Sequence, residues 1–192
     1  MEIRDYITYD QNFLEKETYR KLFKWIKSDL TWESAALVNE DGEKPSKNSK
    51  IRNVLEFNLN QHKTKNYTTA FWYDYLCWVF TKLSEAYFTE KNFIEKPIQS
   101  WFEITILKYE SQHHYLFHHD YHWKMPRHLS YSLCLNDDYE GGELEFGFTK
   151  TDFEKIKMKK NSCILFPSNF MFSHRVHPVT KGTRYVIVGW MR

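Results

Sequence analysis

Between Asn12 and Leu30 the apolar residues Leu22, Trp25 and Ile26, with Tyr19 a turn earlier, recur at helical spacing among Lys and Glu. Such a stripe predicts an amphipathic helix laid over a sheet. A second helix is predicted over Thr68 to Thr89, where Leu76, Val79, Phe80, Leu83 and Tyr87 follow one another at three- and four-residue steps. It is more apolar than a surface helix needs, which makes it the main supporting helix. Between the two, Asn39 to Lys50 is polar with Gly and Pro and reads as a loop, and Ile51 to Leu59 alternates weakly as a strand. After Pro97 the period changes. Trp101 to Tyr109, Tyr115 to His119, His128 to Leu135, Glu143 to Phe148, Ser162 to Phe166, Ser173 to Val179 and Thr183 to Trp190 are short β-rich segments separated by turn residues. The turns are signalled by the run from Asn136 to Gly142 and by Thr180-Lys181-Gly182, where glycine takes positive φ at no steric cost. This spacing predicts a mainly β fold, a sandwich or jelly roll, with supporting helices at the N-terminal side.

The chain of 192 residues suits one domain with a core that needs no disulfide or structural metal. We read residues 1–97 as helical support with a first strand and residues 98–192 as the β core. Aromatic residues make up 18% of the chain while Gly and Pro are few, which excludes a disordered or linker-rich protein. A net charge of +2 from interspersed acids and bases gives no case for a nucleic-acid or membrane partner. The three cysteines, Cys77, Cys134 and Cys163, are odd in number and widely spaced, which argues for a reducing, cytoplasmic setting. The first residues carry no basic stretch followed by an apolar one, so no secretion signal is expected.

The chemistry concentrates at Tyr109 to Asp120, which holds the one His-x-Asp of the sequence. In a strand, side chains two apart share a face, so His118 and Asp120 project together while His119 points away. A distant second imidazole would complete a two-His, one-carboxylate face with three open positions on a six-coordinate metal, an arrangement suited to non-haem Fe(II). His174 is the candidate. His177, three residues on and so on the opposite strand face, competes with it. His113, His114 and His119 read as bystanders.

Taken together, Tyr109, Tyr115, His118 and Asp120, then Gly141-Gly142-Glu143-Leu144, then His174, Val176, Pro178, Val179, Gly182, Arg184, Tyr185 and Trp190 closely resemble the Fe(II)- and 2-oxoglutarate-dependent dioxygenases of the prolyl 4-hydroxylase type. The resemblance covers about residues 100 to 192. Only His174, ten residues before Arg184, has the family spacing to the arginine. Gln112 stands where the family usually has glycine.

The resemblance implies a double-stranded β-helix, the jelly roll, flanked by N-terminal helices. It implies that His118, Asp120 and His174 bind Fe(II), and that Arg184 grips the far carboxylate of 2-oxoglutarate with its planar fork of donors. Tyr109 would be the hydroxyl donor near the cosubstrate. The reaction it implies is hydroxylation of a C–H bond by O2, with release of succinate and CO2 and with ascorbate in a supporting role. The substrate would be a peptidyl residue such as proline, or alternatively a free amino acid or other small molecule. His122, Trp123, Arg127 and Trp190 are candidate substrate contacts, Arg127 by its place before the strand from Leu129. A jelly roll that keeps a metal without turnover is the non-enzymatic alternative, and the intact Arg184 speaks against it.

Overall fold

The computed structural model describes residues 2–37, 47–95, 101–124 and 126–192. The first helix, α1 (Lys16–Asp29), starts where the Glu15 carboxylate accepts from the backbone N–H groups of Glu17 and Thr18, a cap that satisfies donors with no partner inside the helix. Its start falls later than Asn12 because Asn12 is left-handed (φ 59°) and the Leu14 N–H donates to Asn161 Oδ1 at 3.0 Å. Leu22, Trp25 and Ile26 form its buried stripe. A one-turn helix, α2 (Leu59–His62), precedes α3 (Tyr67–Glu90), which is capped by Asn66 and buries Leu76, Val79, Phe80 and Tyr87 as the periodicity predicts. Leu76 and Phe80 have no exposed surface, and burial on that scale is worth about 1.5–3 kcal/mol per side chain.

The strands are β1 (Thr8–Gln11), β2 (Glu33–Ser34), β3 (Arg52–Asn53), β4 (Leu55–Asn58), β5 (Phe102–Tyr109), β6 (His114–His118), β7 (Leu129–Cys134), β8 (Glu140–Gly141), β9 (Leu144–Gly147), β10 (Phe153–Ile156), β11 (Ser162–Pro167), β12 (Ser173–Val176), β13 (Val179–Lys181) and β14 (Arg184–Met191). They form a large antiparallel sheet in the order β1-β11-β7-β14-β5-β4-β2, a smaller one in the order β10-β9-β12-β6-β3, and the pair β13-β8. This is the jelly roll the sequence predicts, with the helices on the outer face of the large sheet.

Alternation along the large sheet divides its two faces. Phe102, Ile104 and Ile106 of β5, Leu129, Tyr131 and Leu133 of β7 and Ile187 of β14 pack with the helices. Leu107 and Tyr109, Cys134 and Val186 face inward, onto Leu144, Phe146 and Val176 of the small sheet. Both faces of the large sheet are therefore covered, so β7 is buried at every position. Helix α3 approaches β14 closely: a Cβ on Gly189 would stand 2.8 Å from the Phe80 ring.

Two expected strands are divided. Ile51 to Leu59 breaks at Val54, with β3 pairing to β6 in the small sheet and β4 to β5 in the large one. Ser173 to Val179 breaks at His177-Pro178, since proline has no N–H for a ladder and the His177 N–H donates to the Glu143 carbonyl. Residues 1–97 also supply more strand than expected, β1 to β4. Residues 39–46 of the predicted loop and the expected boundary at 97/98 lie outside the described residues. Among the described residues no helix is long and apolar enough to cross a membrane.

Candidate active site

Strand β6 ends at His118 and β12 begins at Ser173, and the register of the pair sets His174 opposite His118. Their ring centroids are 4.3 Å apart. Each ring is fixed by the carbonyl two residues before it: His118 Nδ1 lies 2.8 Å from that of Leu116 and His174 Nδ1 lies 3.0 Å from that of Phe172. A proton on Nδ1 donated to a carbonyl leaves the Nε2 lone pair free, the form in which imidazole binds a metal.

Asp120 lies beyond the strand end, not in the strand that the His-x-Asp spacing suggests. The backbone N–H groups of Asp120 and Tyr121 both donate to the Ser168 carbonyl, at 3.2 and 2.8 Å, and this turn brings the carboxylate back to the imidazoles. Asp120 Oδ1 is 3.7 Å from His118 Nε2, and Oδ2 is 3.7 Å from His174 Nε2. One ligand atom from each residue lies within 4.8 Å of the others. The Ser130 hydroxyl donates to Asp120 Oδ2 at 2.7 Å and lies 2.8 Å from the Ser168 hydroxyl.

Burial, with His174 beside it, lowers the His118 pKa to about 3. Burial by itself would raise the Asp120 pKa, but His174, His118, Arg127 and the Ser130 hydrogen bond outweigh it and hold the carboxyl well below the usual range. Near neutral pH the pair is a free imidazole beside an ionised carboxylate, the protonation state a metal ligand needs. This donor set, borderline nitrogen with hard oxygen, suits Fe(II).

The triad opens into a cavity of about 450 Å³ between the sheets, lined also by Tyr109, Tyr115, Arg184 and Trp190. Arg184 pairs in register with Tyr109, and its guanidinium lies 5.0 Å from the Tyr109 ring centroid. It is 1% exposed, yet its Nε and Nη1 have no hydrogen-bond partner among the described residues. A buried cation with open donors costs free energy unless an anion completes it, and a dicarboxylate cosubstrate fits that need. Glycine at 141 and 142 has a steric reason. Both have positive φ; a Cβ on Gly141 would stand 2.3 Å from the Pro178 carbonyl oxygen, and one on Gly142 would stand 3.1 Å from Arg184 Cδ.

The other predicted residues divide. Arg127 and Trp190 both line the cavity, with the guanidinium 3.8 Å from the Trp190 ring centroid. Arg127 Nη2 donates to both Glu103 oxygens at 2.9 and 2.8 Å, and Nη1 reaches the Asp120 carbonyl at 3.4 Å. His122 lines the cavity, whereas the Trp123 side chain is largely exposed. His177 lies outside the triad, its Nε2 3.3 Å from Glu145 Oε2. Gln112 takes the left-handed conformation, φ 66°, that its glycine counterpart would favour. Sequence reasoning missed Ser130, Ser168, Arg52 and Glu56. The one signal for Ser130 is its alternation with Leu129 and Tyr131, which puts it on the face opposite the helices, and Ser132 carries the same signal.

Residues 104–192 match the family model of the 2OG-Fe(II) oxygenase superfamily. A PKHD-type hydroxylase of Gloeothece citriformis is 44% identical over 71 residues, 36% of this chain and 30% of that protein. One of Hyphomonas neptunium is 42% identical over 66 residues, 33% of this chain and 28% of that protein. The matched stretch thus spans about a third of the length of these curated relatives. Among solved structures, a Pseudomonas putida prolyl-4-hydroxylase superposes with a TM-score of 0.72 at 18% identity, covering 97% of this chain and 92% of that one. A Trichoplax adhaerens prolyl hydroxylase, solved with a hypoxia inducible factor oxygen degradation domain peptide fragment, gives 0.72 at 15% identity, covering 97% and 83%. The C-terminal half of the chain is thus similar to the 2OG-Fe(II) oxygenase superfamily, and the chain as a whole shares its fold with these two solved structures.

Proposed function

We propose that this protein is an Fe(II)- and 2-oxoglutarate-dependent dioxygenase that hydroxylates a C–H bond of a peptidyl residue such as proline, releasing succinate and CO2. The observation that carries this reading is Arg184, a buried guanidinium with two open donors in the same cavity as His118, Asp120 and His174. A metal site that served stability alone would have no use for it.

In this reading His118 and His174 through Nε2, and Asp120 through its carboxylate, would hold Fe(II). When bound, the metal with 2-oxoglutarate and O2 supplies the oxidising power that turns C–H into C–OH, with ascorbate in a supporting role. The chain's own residues position and enclose. Arg184 would hold the far carboxylate of the cosubstrate by charge-assisted hydrogen bonding, which its dry surroundings would make stronger than in water. Tyr109, its register partner, would serve the cosubstrate as a hydroxyl donor. Trp190, capped by Arg127, forms the wall against which the prime substrate lies. Peptide recognition is supported by the Trichoplax neighbour, which was solved with a peptide fragment. Cys77, Cys134 and Cys163 are all free, which suits the reducing cytoplasm where we place the protein.

The test is succinate release by the Fe(II)-loaded protein with 2-oxoglutarate across a panel of proline-containing peptides and free amino acids. Stimulation by a blocked peptide and not by free proline is the expected result. Stimulation by free amino acids alone would move the assignment to small-molecule hydroxylation. No succinate with any member of the panel, and no visible band on anaerobic loading, would leave a non-catalytic metal protein.

A further inference from the structure

Arg184 Nε and Nη1 have no hydrogen-bond partner among the described residues, so the aim of the guanidinium is set from the backbone end of its side chain. That backbone stands at an awkward place. Arg184 is the first residue of β14, two residues after the left-handed Gly182 (φ 78°). On one side it pairs with Tyr109 of β5. On the other side β7 has already ended at Cys134, and the main-chain bond that follows is the Leu135 N–H donating to the Tyr185 carbonyl at 3.0 Å.

The Asn136 side chain carries the ladder on from there. Its Oδ1 accepts from the Tyr185 N–H at 2.7 Å, and its Nδ2 donates to the Thr183 carbonyl at 2.7 Å. One amide thus bonds the residue on each side of Arg184. Asp138 Oδ1 also accepts from Nδ2, at 2.6 Å. A carbonyl and a carboxylate face the nitrogen and an N–H faces the oxygen, which only one orientation of the amide satisfies.

Asn136 is 7% exposed and does not line the cavity, so it can act on a ligand only through Arg184. A charge-assisted bond to a carboxylate depends on direction as well as distance, and a guanidinium without partners of its own takes its direction from the strand that carries it.

We propose that Asn136 is a positioning residue for the cosubstrate: it sets the aim of Arg184, and through it the preference for a keto acid with a second carboxylate. This rests on the hydroxylase reading above. It gives the turn after β7 a share in cosubstrate choice without contact.

The test is anaerobic calorimetry of the full chain loaded with Fe(II), titrated with 2-oxoglutarate and with 2-oxopentanoate. The second ligand keeps the keto acid and has a methyl group in place of the far carboxylate. The wild-type chain binds 2-oxoglutarate the more tightly. Asn136→Ala removes both bonds to the flanks of Arg184. The exchanged variant Asn136→Asp/Asp138→Asn conserves charge and the bond between the two positions, and loses only the donor to Thr183. In each, the dissociation constant of 2-oxoglutarate rises about tenfold, as expected for a misaligned hydrogen bond to a charged donor, while that of 2-oxopentanoate changes less than twofold. Adding Asn136→Ala to Arg184→Leu changes neither.

Equal weakening of both ligands, unchanged binding of 2-oxoglutarate, or failure of both variants to fold would make Asn136 a fold residue and end the assignment, while the wild-type preference still supports the hydroxylase reading. A further loss of 2-oxoglutarate binding in the Arg184→Leu background would end it too. A wild-type chain that binds the two keto acids alike would take down both this assignment and the role given to Arg184.

Discussion

His118 and His174 face each other across two neighbouring strands, and each is held at Nδ1 by the carbonyl two residues before it. The sheet register, and not a flexible loop, sets the spacing of the two imidazoles. His174→Ala should therefore remove metal binding while leaving the fold intact. Anaerobic Fe(II) with 2-oxoglutarate should give a weak visible charge-transfer band with the wild-type chain and none with the variant. A band that survived would remove His174 from the ligand set.

Arg184→Lys keeps the charge but loses the fork that matches a carboxylate. Loss of one charge-assisted hydrogen bond, worth roughly 1.5–3 kcal/mol, should raise KM for 2-oxoglutarate about 10- to 100-fold. Initial-rate measurements of succinate release against 2-oxoglutarate concentration check this, and an unchanged KM would move the cosubstrate elsewhere.

Ser130 fixes Asp120 by donating to Oδ2, and Ser168 supports it from behind. Partners of this kind orient a ligand, and their loss typically lowers metal affinity by about 10- to 100-fold. Ser130→Ala should show that loss in a Co(II) titration, with thermal unfolding of the metal-free protein little changed.

Gln112 occupies left-handed backbone at φ 66°, where any residue with a Cβ is strained. Gln112→Gly relieves that strain but adds freedom to the unfolded chain, so the expected gain is about 0.5–1 kcal/mol. Urea unfolding at neutral pH measures it; a loss of stability would mean that the Gln112 side chain holds the turn.

Acid should destabilise the metal-free protein early. The folded state keeps His118 neutral down to about pH 3, whereas an exposed histidine takes a proton near pH 6.5. Below that pH the unfolded chain binds the extra proton, so stability falls with pH by up to roughly 1.4 kcal/mol per unit. Asp120, whose folded pKa is also depressed, adds a loss in the same direction below about pH 4. Unfolding free energies from pH 7 to pH 4 should slope accordingly, and His118→Asn should flatten the upper part of that slope.

The helices and most core strands are legible in the sequence because each buries one face and so carries a regular period, as Leu22-Trp25-Ile26 and Leu76-Val79-Phe80 do. The triad and Arg184 are legible because their chemistry requires particular residue types at set spacings. The break at Val54 is not, since a strand alternates in the same way whichever sheet receives it. The four-residue strands β1 and β10 are too short to carry a pattern of their own and owe their existence to pairing with β11 and β9. Ser130, Ser168 and the Glu103 partner of Arg127 depend on contacts between distant segments, 24 residues apart in the last case. A hydroxyl or a carboxylate in isolation gives no sign of them.

The seven residues from Arg52 to Asn58 hydrogen-bond to β6 at one end and to β5 at the other. Cut that segment away, and the ladder groups of both strands on that side become bare rims that invite any passing chain to add itself. The stretch from residue 104 onward is thus not an autonomous cassette in this protein, and a chimaera that borrowed it would have to supply a replacement for that clasp.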